Sequence, residues 1–166
     1  MALAVVFGAT GHIGAHVVRA LLARGHDVRA AYRTPRYRSV LEGLPVDAVA
    51  ADLDDPASIR RAVEGCDLVF HCAGYYPRFT DRHEPAAARG AAQIRRVFDV
   101  LRDRRVTRIV YTSSAATIAP RPDRPSTEAD REPWSHPLPH PPRRICAGGA
   151  GPLGSSRGWD GPCTRR

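Results

Sequence analysis

The sequence predicts an α/β fold with a doubly wound parallel sheet of about five strands. Short apolar segments alternate with segments of helical periodicity along the first two thirds of the chain. A glycine-rich turn joins the first apolar segment to the first helix, and the apolar segments are nearly continuous, as in strands covered on both faces. This alternation is typical of a Rossmann-type sheet with right-handed crossovers.

The first strand, turn and helix form the most informative stretch. A buried strand at Val5–Phe7 precedes Gly8, Gly11 and Gly14. Gly8 permits the sharp turn, Gly11 lets a diphosphate lie against the backbone, and Gly14 lets the helix pack closely. Free N–H groups and the positive dipole end of the helix favour phosphate there. The predicted dinucleotide loop comprises Gly8, Thr10, Gly11, His12, Ile13 and Gly14. For His12, a solvent-facing position at the helix start is the alternative.

The remaining elements follow in alternation. Gly25 ends the first helix, and Asp54 or Asp55 is expected to cap a later helix that starts at Pro56 and stops at Gly65. The further predicted strands are 28–32, 46–51, 67–72 and 108–112. The other predicted helical segments are a short one at 39–42 and a long one at 85–103, whose inward residues are Ile94, Val97, Phe98 and Leu101.

Charge and composition narrow the function classes. The formal net charge is +8, but half of the surplus lies in the last fifth of the chain and no basic stripe carries interleaved aromatic residues. Nucleic acid is therefore not an expected partner. The four cysteines lack metal-ligand spacing, and His83, His136 and His140 form no pattern with them, so we expect no metal. Neither an export leader nor an apolar segment of membrane-spanning length is recognisable, which predicts a cytoplasmic protein without a membrane partner.

The character of the chain changes near its end. From Pro133 onward, 13 of 34 residues are proline or glycine and apolar periodicity is lost. We therefore expect an incomplete nucleotide-binding domain at 1–132 and a disordered tail at 133–166. The tail composition suggests a frameshift near Pro141, and a naturally short protein with a disordered tail is the competing hypothesis. An uncovered edge strand in so short a sheet favours a homodimer.

Four segments together resemble the extended short-chain dehydrogenase/reductase family, also called the NAD-dependent epimerase/dehydratase family, and its dihydroflavonol-reductase-like and hopanoid-associated-epimerase-like members. These are VFGATGHIG, ADLDDPASI, LVFHCAG and RIVYTSSAAT. The resemblance covers residues 1 to about 134. It implies a reductase, epimerase or dehydratase that transfers hydride between a nicotinamide cofactor and a small carbonyl or carbinol substrate of unknown identity.

Charge at the end of the second strand bears on the cofactor. NAD-dependent enzymes usually carry a carboxylate there that binds the ribose hydroxyls. This chain has Arg33 at that place, with Arg36 and Arg38 nearby. A guanidinium pairs with a 2′-phosphate, so the sequence favours NADP, with NAD remaining open. Ordinary solvated surface arginines are the alternative interpretation.

The resemblance implies further cofactor contacts along the sheet edge. An aspartate placed like Asp52 meets the adenine amino group, and the backbone at Leu53 lines the same pocket. The segment after the fourth strand runs beside the adenosine and ribose. Its predicted cofactor residues are Cys72, Ala73 and Gly74, with Thr112 added from the end of the fifth strand. Cys72 lacks an adjacent activating base, so packing is favoured over a reactive thiol.

The catalytic residues that the resemblance implies are incomplete. Ser114, with Ser113 next, matches the serine that hydrogen-bonds the substrate oxygen. The family also uses a Tyr-x-x-x-Lys segment, but this chain has no lysine and no tyrosine after Tyr111. Ala87 stands where the family has a helical asparagine. We therefore expect a weak or inactive member, with a non-catalytic NADP-binding sensor and a basic partner-binding protein as the alternatives.

Overall fold

The computed structural model describes residues 1–75, 83–114 and 117–130. Its first compact unit is Met1–Thr112 and the second begins at Ser113. The expected boundary at 132 and the expected disordered tail at 133–166 lie at or beyond the limit of the described residues and stay predictions.

Five parallel strands form one sheet in the first unit, which confirms the predicted fold class. They are β1 (Leu3–Phe7), β2 (Asp27–Tyr32), β3 (Asp47–Ala50), β4 (Leu68–His71) and β5 (Arg108–Tyr111). The spatial order is β3-β2-β1-β4-β5, with every neighbouring pair parallel. The chain order therefore reverses between β1 and β4. In open α/β sheets, a ligand crevice opens beyond the carboxyl ends of the strands at such a reversal.

Three α-helices and one 3₁₀ helix connect the strands. The α-helices are α1 (His12–Ala23), α2 (Pro56–Ala62) and α3 (His83–Arg102), and the 3₁₀ helix is Pro35–Leu41. That helix begins four residues before the predicted 39–42 segment, because Pro35 occupies its first turn, where the fixed φ of proline favours a helix start. The capping alternative is resolved in favour of Asp55, whose carboxylate accepts a hydrogen bond from the Ala57 N–H at 2.9 Å.

Alternate residues of β1 divide between two apolar cores, one on each face of the sheet. Val5 and Phe7 pack with residues of α2 and α3, whereas Ala4 and Val6 pack with residues of α1. All four side chains are at most 1% exposed. A strand without a polar face must lie inside the sheet, which explains why β1 is central.

The buried face of α3 differs from the prediction at one position. Its buried residues are Gln93, Val97, Val100 and Leu101, whereas Phe98, expected to face inward, is 41% exposed. Gln93 is buried on this face and its amide donates a 3.0 Å hydrogen bond to the Asp54 carboxylate. The amide therefore takes a place that the apolar pattern alone assigns to hydrocarbon.

Strand β5 forms one edge of the sheet and is exposed along its whole length. Ile109, Val110 and Tyr111 are 37%, 42% and 44% exposed. An apolar edge strand with one unpaired side is a surface on which another strand can pair.

In the second unit, Asp130 organises the described segment 117–130. Its side chain is 4% exposed and accepts hydrogen bonds from Arg121 at 2.8 Å and Arg124 at 2.7 Å. Arg124 in particular holds the pKa of this carboxyl far below its usual range. The Asp130 backbone carbonyl also accepts from the Ala119 N–H, so the carboxylate and the backbone together close this segment.

Candidate functional site: a cleft at the sheet edge

The glycine loop after β1 is constrained by close backbone contacts. Gly8 has φ +79°, and a Cβ there would lie 2.9 Å from the Ala73 nitrogen. A Cβ on Gly14 would lie 2.1 Å from the Gly8 carbonyl oxygen and 2.7 Å from the Gly8 carbonyl carbon. The loop is also tied to β2, because the Gly8 and Ala9 N–H groups both donate to the Ala31 carbonyl at 3.1 Å. Only glycine at positions 8 and 14 permits this approach of α1 to the sheet.

The start of α1 is left open to an anion. Gly11 is the N-cap, no side chain caps the helix, and its first turn contains no acidic residue. The first N–H groups of a helix have no intrahelical acceptor and lie at the positive end of its dipole. A phosphate group is a suitable ligand for such a helix start.

A cleft of about 250 Å³ lies beside this loop. It is smaller than the roughly 300–1,000 Å³ of drug-sized ligand pockets, so it is too small to enclose a whole dinucleotide. Nine predicted cofactor residues line the cleft: Gly8, Thr10, Gly11, Arg33, Asp52, Leu53, Cys72, Ala73 and Gly74. Residues from four loops that are far apart in sequence thus meet at one sheet edge.

Six predicted cofactor residues are not in the cleft lining. They are His12, Ile13, Gly14, Arg36, Arg38 and Thr112. His12 is exposed and packs edge-to-face against His16, with ring centroids 5.3 Å apart. Ile13 is 46% exposed. Gly14 does not line the cleft but packs against Gly8, which does.

The arginines after β2 separate into two places. Arg33 is exposed and lines the cleft. Arg36 lies over the Tyr37 ring at 4.6 Å from the centroid and donates a 2.7 Å hydrogen bond to the Tyr37 hydroxyl. Arg36 and Arg38 line a second depression, which shares no lining residue with the cleft. Only Arg33 is therefore placed to meet a ligand in the cleft directly.

The loop after β3 is built around Asp52 and Ser58. The Ser58 hydroxyl donates to the Asp52 carbonyl at 2.9 Å and accepts from the Asp52 N–H at 3.0 Å. One Asp52 carboxylate oxygen accepts from the Asp54 N–H at 2.9 Å. These bonds fix Asp52 and Leu53 at the cleft wall.

The ends of β4 and β5 are joined at Cys72. The Thr112 hydroxyl donates a hydrogen bond to the Cys72 sulfur at 3.5 Å. This contact agrees with a packing role for Cys72. Thr112, predicted as a cofactor residue, instead contacts a residue that lines the cleft.

His71, the last residue of β4, is buried and lies between two aromatic rings. Its ring centroid is 6.1 Å from that of Phe7 and 5.3 Å from that of Tyr111. Within the described residues neither ring nitrogen has a hydrogen-bond partner, and burial lowers the pKa of the imidazole. His71 therefore belongs to the core under the sheet edge.

Sequence reasoning missed three polar residues of the cleft: Thr34, Tyr37 and Gln93. Pro35, two residues before Tyr37, signals the start of the short helix that carries Tyr37. Gln93 could have been noticed as a lone amide at helical spacing from Val97. The apolar cleft residues that were also not singled out are Phe7, Ala31 and Ala51.

The predicted catalytic serines begin the second unit. Ser113 and Ser114 are both exposed. The Ser114 carbonyl accepts from the Thr117 N–H at 3.1 Å and from the Thr117 hydroxyl at 2.7 Å. Their side-chain roles stay predictions. The family's Tyr-x-x-x-Lys segment, for which this sequence has no matching residues, would fall in 131–166, outside the described residues. The side chain of Ala87 is also outside them.

Two findings on the described ranges bear on possible partners. No helix there combines the length and the apolar character needed to cross a bilayer. The same ranges contain no group of three or more His, Cys, Asp or Glu side chains placed around a common point for a metal ion.

Comparison with known proteins gives a consistent result. Residues 8–137 match a family described as NAD(P)H-binding. Sterol demethylase protein B of Methylococcus capsulatus is 40% identical over 124 residues, and the putative dihydroflavonol 4-reductase of Synechocystis is 34% identical over 118 residues. The alignments cover 74% and 71% of this chain but only 38% and 34% of those relatives.

A similar solved structure is a short-chain dehydrogenase/reductase superfamily protein from Agrobacterium tumefaciens with bound NAD. It is 26% identical with a TM-score of 0.56, over 69% of this chain and 33% of that chain. The chain thus spans little more than a third of the length of these proteins.

Proposed function

This chain belongs to the NAD(P)H-binding family of short-chain dehydrogenases/reductases and epimerases, and on that premise we propose that it binds NADP(H) in the cleft beside α1. The observation that carries the proposal is the uncapped start of α1, which packs closely against the loop after β1. A Cβ added at Gly14 would lie 2.1 Å from the Gly8 oxygen, so this packing requires glycine. The first N–H groups of α1 have no side-chain cap, and such free N–H groups are what a diphosphate requires.

The cofactor preference rests on Arg33. It lines the cleft beside Thr34 and Tyr37, next to the end of β2, where NAD-dependent proteins carry a carboxylate. Its guanidinium suits the 2′-phosphate of NADP. Arg36 and Arg38 contribute positive potential from the neighbouring depression rather than a direct contact.

The cofactor preference is tested by calorimetric titration of the full chain with NADPH and with NADH. NADPH is expected to bind more tightly, and Arg33→Glu to weaken NADPH by about tenfold or more, because a charge-assisted hydrogen bond contributes about 1.5–3 kcal/mol. Arg60→Glu, at an exposed position of α2, is the matched control and leaves both affinities unchanged. Equal affinity of the unaltered chain for NADPH and NADH would contradict the preference.

We propose further that this polypeptide binds the cofactor without efficient turnover. A bound nicotinamide would supply or accept a hydride, and Ser114, with Ser113 next, would hydrogen-bond the oxygen of a small substrate. The acid/base step needs a tyrosine whose pKa is brought down from about 10 by a neighbouring cation. The sequence contains no lysine and no tyrosine after Tyr111. A non-catalytic NADP-binding sensor or regulatory module is the second candidate function.

A turnover assay separates the two candidates. NADPH oxidation is followed with a panel of small ketones and aldehydes, with Ser114→Ala as the variant. Slow, serine-dependent oxidation supports a weak reductase, and binding with no oxidation supports the sensor. Rapid turnover by the unaltered chain would overturn the proposal that the proton-transfer residues are lacking.

Self-association through β5 is the partner arrangement we propose. The support is the exposure of Ile109, Val110 and Tyr111 along an edge strand. Ile109→Lys is expected to shift the chain towards monomer in sedimentation velocity, since a charge on an edge opposes strand pairing. A monomeric unaltered chain at high micromolar concentration would refute it.

A further inference from the structure

Gln93 places an amide in the wall of the cofactor cleft. It is 3% exposed and lines the cleft together with Asp52 and Leu53. A buried amide needs partners for both its NH₂ group and its carbonyl oxygen, because an unpaired polar group in such a place is costly.

Asp54 determines which atom of the Gln93 amide is already hydrogen-bonded within the protein. The Gln93 Nε2 donates to an Asp54 carboxylate oxygen at 3.0 Å. An ionised carboxylate can only accept, so the amide nitrogen must be the atom that faces it. Arg89 at 2.6 Å and Arg96 at 2.9 Å hold the carboxylate in place. Arg89 above all keeps the pKa of Asp54 below its usual range.

The Gln93 Oε1 is then the free end of the amide. It has no hydrogen-bond partner within the described part of the chain. The side-chain polar atoms there that are both sealed from solvent and unpartnered belong to His26 and His71. Oε1 is not among them, so it is not sealed from solvent, and the open space that Gln93 lines is the cleft. The amide therefore offers an oriented acceptor to a ligand.

We propose that the Gln93 Oε1 accepts a hydrogen bond from the exocyclic amino group of the cofactor's adenine. The inference rests on the proposed NADP(H)-binding function and deepens it. Asp52 and Leu53 share this wall and are the residues expected at the adenine. The amino group is the hydrogen-bond donor on an adenine edge, whereas N3 and N7 are acceptors. Gln93 would therefore make the cleft select an aminopurine dinucleotide over an oxopurine one.

The test compares NADP⁺ with nicotinamide hypoxanthine dinucleotide phosphate, in which a carbonyl oxygen replaces the amino group. The unaltered full chain is expected to bind NADP⁺ roughly three- to tenfold more tightly, the range of one hydrogen bond. Gln93→Leu removes the acceptor and lowers this ratio by a similar factor. Isothermal titration with both nucleotides gives the ratio directly.

Asp54→Asn provides a sharper test, because it changes the amide orientation without touching the ligand. The new Asn oxygen stays with the two arginines, and its NH₂ group donates to the Gln93 oxygen. Gln93 then turns its own NH₂ group into the cleft, so the preference shifts towards the hypoxanthine dinucleotide. Asp99→Asn, on an exposed residue of α3 paired with Arg102 at 3.0 Å, is the matched control and leaves the ratio unchanged.

The possible results separate this inference from the function on which it rests. If the unaltered chain binds neither dinucleotide, the proposed function fails and the inference fails with it. If it binds both, and the ratio in Gln93→Leu equals that of the unaltered chain, the inference alone is overturned. Circular dichroism checks folding, and should Asp54→Asn not fold, the Gln93→Leu ratio decides.

Discussion

Replacing Gly14 by alanine should destabilise the fold, although alanine is the better helix former. Its Cβ would lie 2.1 Å from the Gly8 oxygen, 2.7 Å from the Gly8 carbonyl carbon and 3.1 Å from the Ala9 Cα. All three atoms are backbone, so no side chain can rotate away. Either α1 must move outward or the loop after β1 must shift. Such overpacking costs about 1–3 kcal/mol, and the helix propensity of alanine returns about 0.5–1 kcal/mol.

Gly90 is the matched control, since it is also a helical glycine. Among the residues that the structure describes, a Cβ there would have one neighbour within 4 Å, the Tyr75 Cβ at an ordinary 3.8 Å. Gly90→Ala should therefore stabilise the fold by about 0.5–1 kcal/mol through the lower entropy of the unfolded chain. The two substitutions are chemically identical, so their opposite signs isolate the contact with Gly8.

Urea unfolding followed by circular dichroism at 222 nm measures the free energy of unfolding of both variants. NADPH titration measures whether each variant still binds the cofactor. Gly14→Ala should have a lower unfolding midpoint than the unaltered chain and should also lose NADPH affinity, because the displaced loop no longer presents its N–H groups. Gly90→Ala should raise the midpoint and leave the affinity unchanged. A midpoint for Gly14→Ala equal to that for Gly90→Ala would refute the reasoning from the close contact.

Three further predictions concern stability and pH. His71→Phe should raise the free energy of unfolding by about 1–2 kcal/mol, because a phenyl ring leaves no unpartnered nitrogen in the core. Burial lowers the pKa of His71 from 6.5, so the unfolded chain binds the proton first and stability falls as pH drops below about 6.5; urea unfolding at pH 5 and 8 should show this loss in the unaltered chain and not in the variant. Arg124 lowers the pKa of Asp130, so that carboxylate stabilises segment 117–130 above about pH 4 and stops doing so as pH falls through its lowered native pKa. Asp130→Asn should therefore speed amide exchange there at pH 7, with the difference vanishing at strongly acidic pH. Asp55→Ala should cost about 1 kcal/mol, because the cap on the Ala57 N–H is lost, and a midpoint within error of the unaltered chain would contradict the capping role.

The fold was predictable because its determinants are local. The apolar segment of β1, the turn at Gly8 and the periodicity of α1 lie within consecutive residues, and each specifies a backbone conformation. The start of α2 at Pro56 was likewise predictable from the local sequence, because Asp55 and Pro56 are typical of a helix start.

The side-chain interior of the site was harder to predict because its contacts span long sequence separations. Gln93 and Asp54 are 39 residues apart, and neither belongs to a recognisable motif. The helix face that buries Gln93 leaves Phe98 41% exposed, whereas the apolar pattern expects Phe98 inside. Arg36 and Arg38 differ from Arg33 only in where the 3₁₀ helix directs them, and that helix start was placed four residues too late.

Cofactor binding and proton transfer depend on different properties of a chain. Holding a diphosphate requires backbone N–H groups and two missing Cβ atoms, and the pattern from Gly8 to Gly14 is sufficient to provide them. Lowering the pKa of a tyrosine requires a cation fixed beside it, and this sequence supplies only arginine, with no tyrosine after Tyr111. Because the first requirement is met by local geometry and the second by particular side chains, the two can be lost separately. For the function proposed above, we therefore expect measurable NADPH affinity that depends on Gly14, together with turnover near zero.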